Sequence, residues 1–205
     1  YQAGSGLMAG DFFDFHRVGP TRVAAVIGDV AGHGIESSIT AFQAKYLLRV
    51  FLRQFRDPAQ AFEELNEQLA SSDRDEEFIS AAVVVFPTEA GTLRYASAGH
   101  PALFLFKEDG VVPLRSTGPL LMLDPNGSYF SREIAMESGD LVVMYTDGLA
   151  EAREAGSMFG EDRIIKTTER ELNAPPDVLC KALLDEAKDH AGGMIDDDTA
   201  IMAIR

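Results

Sequence analysis

Aspartates are grouped in four short motifs of this 205-residue chain, and carboxylates grouped in this way are suited to binding cations. Aspartates that converge without Lys or Arg beside them repel one another, so either some stay protonated or cations neutralise them. Hard oxygen ligands select Mg²⁺ or Mn²⁺, and the sequence offers no Cys/His set with zinc spacing. The motifs are GDFFD at 10–14, GDVAGHG at 28–34, TDG at 146–148 and DDDT at 196–199.

Two of these aspartates lie at the ends of apolar segments that are typical of strands. Asp29 follows Val23–Ile27, and Asp147 follows Leu141–Tyr145. A strand end is a rigid place for a ligand, and neighbouring glycines let backbone approach it closely. Two divalent ions about 3.5–4 Å apart could activate a water for attack on phosphorus, without a covalent intermediate. A single Asp-Gly pair is more often a turn, but four acidic motifs together favour a metal site.

The elements that must position these aspartates show clear strand and helix patterns. Gly19-Pro20 is a hairpin signal, and Asp57-Pro58 is typical of a helix start. The order of elements predicts an α+β domain in which helices cover the outer faces of packed antiparallel sheets. Strands are predicted at Phe12–Val18, Arg22–Val30, Ile79–Phe86, Thr92–Ser97, Leu103–Phe106, Val111–Leu114, Leu141–Tyr145 and Ala200–Ile204, and helices at Ile35–Phe55, Asp57–Leu69, Glu161–Glu171 and Asp177–His190.

Composition argues against several classes of protein. The chain has 18 basic and 33 acidic residues, a net charge of -15, which argues against a nucleic-acid binder. No apolar run approaches the roughly 18 residues that cross a membrane, so direct membrane insertion is not expected. The single Cys180 suits a reducing cytoplasm. Because the sequence begins at Tyr1 rather than Met, we expect it to be part of a longer protein.

Five motifs, in order along the chain, resemble those of one protein family. They resemble the SpoIIE/RsbU-like branch of the type 2C (PPM) metal-dependent serine/threonine phosphatases. The chain departs from the family pattern at Ala9, Phe12, Phe13 and Ser97, but each matched carboxylate is present. The matching segments are a GGDYYD-like opening at 9–14, a GDVSGKG-like turn at 28–34, an NAGHP-like segment at 97–101, a YTDGVTEA-like segment at 145–152 and a DDxT ending at 196–199.

The resemblance implies a fold and a set of metal ligands. The implied fold is a four-layer αββα sandwich of two antiparallel sheets flanked by helices. It would form a single phosphatase domain over residues 1–205, the C-terminal part of a longer signalling protein. Two Mn²⁺ or Mg²⁺ ions are implied, with Asp29 bridging them; Asp29, Asp147 and Asp196 are the candidate catalytic residues. The implied metal ligands are Asp11, Asp29, the backbone carbonyl of Val30, Asp147 and Asp196, with Asp197 as the alternative if the last motif is shifted by one residue.

The resemblance also implies a substrate and a regulator. The expected substrate is phosphoserine on an anti-anti-sigma (STAS-type) protein in a bacterial partner-switching pathway. An upstream sensor or receiver domain in the same chain is expected to control the site, and low activity is expected without it. One alternative is a phosphatase-fold module that binds and sequesters a signalling partner without catalysis. An aspartyl-nucleophile phosphatase using Asp196 and Asp198 is disfavoured, because the apolar strand follows these residues instead of preceding them.

The histidines and the aromatic residues of the first helix are assigned mainly structural roles. His33 and His100 could each approach the metal site, but the expected role of His100 is a structural hydrogen bond, and only a minor chemical role is expected for His33. We expect His16 and His190 at the surface, and Phe42, Tyr46 and Phe55 in the core.

Overall fold

The computed structural model describes residues 10–32, 34–70, 77–88, 91–154 and 156–205. Their tertiary contacts define two compact units, the described parts of 7–100 with 115–137 and of 101–114 with 138–205. The elements in chain order are β1 (Phe12–Gly19), β2 (Arg22–Val30), α1 (Ile35–Gln54), α2 (Pro58–Ala70), β3 (Ile79–Pro87), β4 (Thr92–Ala98), β5 (Leu103–Lys107), β6 (Gly110–Leu114), β7 (Arg132–Ala135), β8 (Leu141–Tyr145), α3 (Asp147–Ala150), β9 (Arg153–Glu154), β10 (Ser157–Met158), α4 (Gly160–Arg170), α5 (Pro176–His190) and β11 (Ile201–Ile204).

The first unit is built on a five-stranded antiparallel sheet with the order β1-β2-β3-β4-β7. Its central strand, β3, carries a run of valines, Val83–Val85, that is buried on both faces. β-branched residues favour the extended backbone, and a continuous buried run is typical of a strand covered on both sides. The β1–β2 ladder pairs Phe12 with Gly28 at its end, and Asp11 lies directly before Phe12 while Asp29 lies directly after Gly28.

Helices α1 and α2 pack against the first sheet and share its core. The buried face of α1 consists of small and aliphatic residues, including Ala41, Ala44 and Leu48. At the start of α2, the Asp57 carboxylate accepts a 3.0 Å hydrogen bond from the Ala59 amide, as the Asp-Pro signal predicts.

The second unit is built on a four-stranded antiparallel sheet with the order β11-β8-β5-β6. Every residue of β8 is buried, and Phe104 of β5 stacks on Tyr145 of β8 with 6.1 Å between ring centroids. Helices α4 and α5 bury Ile164, Leu179 and Leu183 in the same core. The second unit therefore has a core of its own. β8 is buried in this core, and Asp147 lies two residues after its end.

The predicted α+β class, with two antiparallel sheets and helices, is confirmed. Each predicted helix and strand is present, with ends displaced by at most one residue. The sequence patterns did not predict β7, β9, β10 or the short α3. A single phosphatase domain over residues 1–205 stays a prediction. Within the described ranges, no helix is long and apolar enough to cross a membrane.

Four predictions about the burial of side chains are wrong. Phe42 and Tyr46 are 64% and 49% exposed, so they lie outside the core. Phe55, also expected in the core, is only half-buried. His16 was expected at the surface, but its side chain is 7% exposed and lies 3.1 Å from Asp14. On α1 the buried face includes smaller residues such as Ala41 and Ala44, and the two aromatic residues lie on the other side of the helix.

Candidate functional site

The first acidic group lies at the end of the β1–β2 ladder and consists of Asp11, Asp29 and the Val30 carbonyl. Phe12 and Gly28 form the last pair of the β1–β2 ladder. Asp11 precedes Phe12 and Asp29 follows Gly28, so the two aspartates lie next to each other just beyond the ladder. The Val30 amide donates a 3.3 Å hydrogen bond to the Gly10 carbonyl, which extends the pairing past the strand end. Two carboxylates are thereby held by backbone at one rigid position.

Gly10 lies in close contact with two oxygens of this group. A Cβ at Gly10 would stand 2.6 Å from the Val30 carbonyl oxygen and 2.9 Å from Asp29 Oδ1. Both distances are shorter than a side chain tolerates, so only glycine fits at this position. A carbonyl and a carboxylate oxygen that converge in this way are the hard donors that Mg²⁺ and Mn²⁺ prefer. The residues of the first group therefore fit a divalent cation.

The strand beside Asp29 carries a buried hydrogen bond that involves His100. Asp29 pairs with Ser80 across the β2–β3 ladder. Ser80 Oγ and His100 Nδ1 share a hydrogen bond of 2.8 Å, and His100 is 4% exposed. The structural hydrogen bond expected for His100 is thus present. His33 lies outside the described residues.

Asp14, the second aspartate of the first motif, has a structural role that the sequence analysis did not identify. It is buried, and Arg49 of α1 donates two hydrogen bonds of 2.8 Å to its carboxylate oxygens. Burial alone raises the pKa of Asp14, but the hydrogen bonds from Arg49 and the neighbouring charge of His16 outweigh it, so the pKa lies below its usual value. The ion pair between Asp14 and Arg49 therefore links β1 to α1.

The second acidic group lies where β8 turns into α3, beside the loop before β11. The Thr146 amide donates to the Ala200 carbonyl at 3.1 Å, and the Ala200 amide donates to Thr146 Oγ1 at 2.8 Å. Gly148 is so close to the Asp198 carbonyl that a side chain could not be accommodated there. The TDG and DDDT motifs are thus held against each other, and their glycine is required by the close approach.

A cleft of about 390 Å³ opens beside this second group. Burial raises the pKa of Asp147, and the negative charges of Asp197 and Glu151 raise it further. A divalent cation would offset the repulsion between these negative charges. The second group therefore also has the chemistry of a metal site. The cleft is lined by Gly148, Glu151, Ala152, Arg153, Ile195, Asp196 and Asp197.

The structure brings the predicted ligands together within each group. Asp11, Asp29 and Val30 belong to the first, and Asp147, Asp196 and Asp197 belong to the second. Within the described part of the chain, no three His, Cys, Asp or Glu side chains are arranged to hold a metal ion. The ligand assignments therefore stay predictions.

Two charged residues of the cleft were missed by the sequence analysis. Arg153 lies 3.0 Å from Glu151, and both line the cleft with Asp196. Both residues follow the TDG motif closely in the sequence, and this proximity could have identified them. Residues so near Asp147 in the chain stay near it when the segment between them is a short turn. Periodicity analysis does not detect such side chains, since α3 is only four residues long.

Comparison with known sequences gives a family and several relatives. A family model described as Stage II sporulation protein E (SpoIIE) matches residues 19–205. Protein IcfG of Synechocystis sp. is 26% identical over 227 residues, covering 96% of this chain and 36% of that protein. Phosphoserine phosphatase RsbU of Bacillus subtilis is 22% identical over 200 residues, covering 97% of this chain and 59% of that protein. The chain thus spans less than two thirds of the length of these relatives.

Solved structures share the fold. The RsbU and RsbW domains of Rv1364c from Mycobacterium tuberculosis match with a TM-score of 0.85 at 24% identity, covering 98% of this chain and 57% of that one. The SiaA-PP2C domain of Pseudomonas aeruginosa matches with a TM-score of 0.84 at 21% identity, covering 96% and 80%. RsbX in complex with magnesium matches with a TM-score of 0.72 at 18% identity, covering 99% and 92%. At these identities the likeness establishes the fold.

Proposed function

This chain belongs to the SpoIIE family, the SpoIIE/RsbU-like branch of the PPM phosphatases, and we propose that it hydrolyses phosphoserine in proteins with the help of divalent cations. One observation carries the proposal. The Val30 carbonyl oxygen and Asp29 Oδ1 converge on Gly10, 2.6 Å and 2.9 Å from the position that a Cβ would take there. A strand end at which two hard oxygen donors converge, beside a further carboxylate on Asp11, is suited to a divalent cation.

We assign the proposed ligands by family motif. Asp11, Asp29 and the Val30 carbonyl would hold one Mn²⁺ or Mg²⁺ ion, and Asp147 and Asp196, with Asp197 beside them, would hold another. Asp29 would be shared by both ions. The donor set contains only oxygen atoms, which favours Mg²⁺ or Mn²⁺ over zinc. The magnesium complex of RsbX, a protein with this fold, supports this choice.

In the proposed mechanism, the residues of this chain would hold the cations and fix the positions of the carboxylates. Bound cations would supply Lewis acidity and a water activated for attack on phosphorus. The β-ladder holds Asp29 in place, and the two hydrogen bonds between Thr146 and Ala200 hold the turn that carries Asp147. Because the strand ends fix these carboxylates before substrate arrives, the site needs little reorganisation during the reaction. No side-chain nucleophile is required.

The proposed substrate is a phosphoserine on a STAS-type anti-anti-sigma protein. RsbU, a relative of this chain, is a phosphoserine phosphatase, which supports the choice of phosphoserine. The STAS-type partner and the partner-switching pathway follow from the family resemblance. The same resemblance suggests that an upstream sensor or receiver domain in the same protein controls the reaction.

The test is phosphate release from a serine-phosphorylated STAS-type protein, measured with Mn²⁺, with Mg²⁺ and with EDTA. We expect release with either metal and none with EDTA. Asp109→Asn, an exposed carboxylate in the β5–β6 turn, is the matched control and should behave as wild type. Binding of the phosphoprotein without release under any metal condition would instead support the alternative, a non-catalytic module that sequesters its partner.

A further inference from the structure

Helix α1 carries two apolar faces, and the protein described here covers only one of them. Ala41, Ala44 and Leu48 belong to the face that packs into the first core. On the opposite side lies a second row of large apolar residues, which we call the outer stripe. Each member is between 47% and 65% exposed. The outer stripe consists of Ile35, Ile39, Phe42, Tyr46 and Val50.

Among the helices that the structure describes, α1 exposes the most large apolar side chains. Of the nine exposed positions on α1, five belong to the outer stripe. On α4, by contrast, all six exposed positions are charged, as is usual for a helix facing water. Contiguous exposed apolar residues mark an interaction surface more often than scattered ones do. The rings of Phe42 and Tyr46 already contact each other, with centroids 5.3 Å apart, so the stripe is continuous at its centre.

The spacing of the outer stripe indicates what kind of element covers it. Its members follow one another at intervals of four, three, four and four residues, and Arg53 continues the row three residues later. Intervals of three and four are those of a helix seam, in which side chains interlock with a second helix. A strand partner would not match this spacing, because residues on one side of a strand recur every two positions.

We propose that the outer stripe pairs with the outer stripe of a second copy of this chain, as an antiparallel, two-fold symmetric pair of α1 helices. The outer stripe is complementary to a second copy of itself when the two helices run antiparallel. With Phe42 beside the second copy's Tyr46, Ile39 meets the second copy's Val50, and each contact is repeated by symmetry. The same surface therefore serves both copies, which closes the assembly at two.

Charge distinguishes the antiparallel arrangement from the parallel one. Glu36 lies at the N-terminal end of α1, and Arg49 and Arg53 lie at its C-terminal end. A parallel pair would place Arg53 on the seam directly beside the second copy's Arg53, which is repulsive. An antiparallel pair places Arg53 near the second copy's Glu36 and also opposes the two helix dipoles. The inference uses α1 alone and does not depend on the proposed phosphatase activity.

The first test is the molar mass of the purified chain, measured by sedimentation equilibrium over a wide concentration range. We expect reversible dimerisation of the 22.3 kDa chain. The double variant Phe42→Glu/Tyr46→Glu should raise the dimer dissociation constant by about a hundredfold or more, because it places four charges at the centre of the seam. Both residues are exposed, so the variant should keep the wild-type circular dichroism spectrum and melting temperature.

A matched control is Val178→Glu, which charges an exposed apolar residue of α5 outside the outer stripe. This variant should dimerise as wild type does. The proposal is overturned if the wild-type chain is monomeric at every concentration, or if the double variant dimerises as strongly as wild type.

The second test is orientation, by disulfide cross-linking in a Cys180→Ser background. Ile39→Cys and Val50→Cys chains are prepared separately and then mixed under mild oxidation. Cross-linking between the two different chains, with little within each preparation, is the expected result. Efficient cross-linking of each variant with itself would indicate a parallel pair and overturn the antiparallel assignment. Absence of any cross-link in a sample that is dimeric by mass would place the dimer contact elsewhere.

Discussion

The two acidic groups hold their carboxylates with different kinds of structure. Asp11 and Asp29 extend a long β-ladder, and the neighbouring Asp14 is neutralised by two hydrogen bonds from Arg49. Asp147, by contrast, begins a helix of only four residues, and Asp197 and Glu151 oppose its negative charge. Beside the first group, Arg49 balances the charge of the buried Asp14. In the second group, burial and two neighbouring negative charges raise the pKa of Asp147, so the two groups should respond differently to mutation and to metal removal.

The largest effect should follow from Asp29→Asn, which removes the ligand proposed to be shared by both ions. We expect phosphate release at saturating Mn²⁺ to fall by at least about a hundredfold, since the loss weakens the electrostatic stabilisation of the reacting phosphate. Steady-state kinetics on a phosphoserine peptide measure this, with Asp109→Asn as the control. Wild-type turnover by Asp29→Asn would remove the basis for assigning the strand-end group to a metal.

Gly10→Ala tests whether the strand-end group depends on the close approach of Gly10 to its oxygens. The new Cβ would meet the Val30 carbonyl oxygen and Asp29 Oδ1, so the ladder end must shift. A displacement of about 1 Å in a catalytic group can cost on the order of a hundredfold in rate. We expect a loss of this size together with weaker Mn²⁺ binding by calorimetry. Gly19→Ala, which meets only ordinary contacts, is the control. Equal metal affinity in Gly10→Ala and wild type would count against the site.

Asp147→Asn should change the stability of the protein differently without and with a bound metal ion. It removes one negative charge from a crowded place, so in EDTA the variant should melt a few degrees higher than wild type at neutral pH. With Mg²⁺ present this advantage should disappear or reverse, because wild type then gains the binding free energy of the ion. Differential scanning calorimetry in both conditions measures the change. A lower melting temperature of the variant in EDTA would contradict the view that burial and the neighbouring negative charges disfavour the ionised Asp147.

The smallest expected effect concerns pH and Asp14. The folded-state pKa of Asp14 lies below its usual value of 3.8, so its stabilising contribution is complete above that value and is lost as the pH falls through the lower, folded-state pKa. Asp14→Asn should therefore melt below wild type at neutral pH, and the difference should narrow in strongly acidic solution. Melting curves of both proteins across this range test it. A difference that stays constant down to the lowest pH would show that the ion pair with Arg49 contributes nothing.

Local signals explain why most elements could be predicted from the sequence. The Asp57-Pro58 start of α2 and the apolar run of β8 each lie within a few neighbouring residues, and both were placed to within one residue. β7 was not predicted, because Arg132–Ala135 has a mixed composition and is a strand only by pairing with β4. Tertiary pairing of this kind leaves no local pattern in the sequence.

The side chains of α1 show a second limit of prediction. Phe42 and Tyr46 were assigned to the core because large aromatic residues usually lie there. The core face is formed instead by Ala41 and Ala44, whose small size lets the helix approach the sheet closely. The acidic motifs were easier to interpret, since motif order identified Asp29 and Asp147 as candidates. Arg49, which neutralises Asp14 from 35 residues away, could be found only in three dimensions.

The central claim, that this chain is a metal-dependent phosphoserine phosphatase, is tested most directly by one titration. The purified chain is stripped of metal with EDTA and dialysed, and phosphate release from a phosphoserine protein is then followed as Mn²⁺ is added. Our account predicts no release before addition and a saturable rise with Mn²⁺ that EDTA abolishes. Full release by the metal-free chain, unchanged by Mn²⁺ or EDTA, would contradict it.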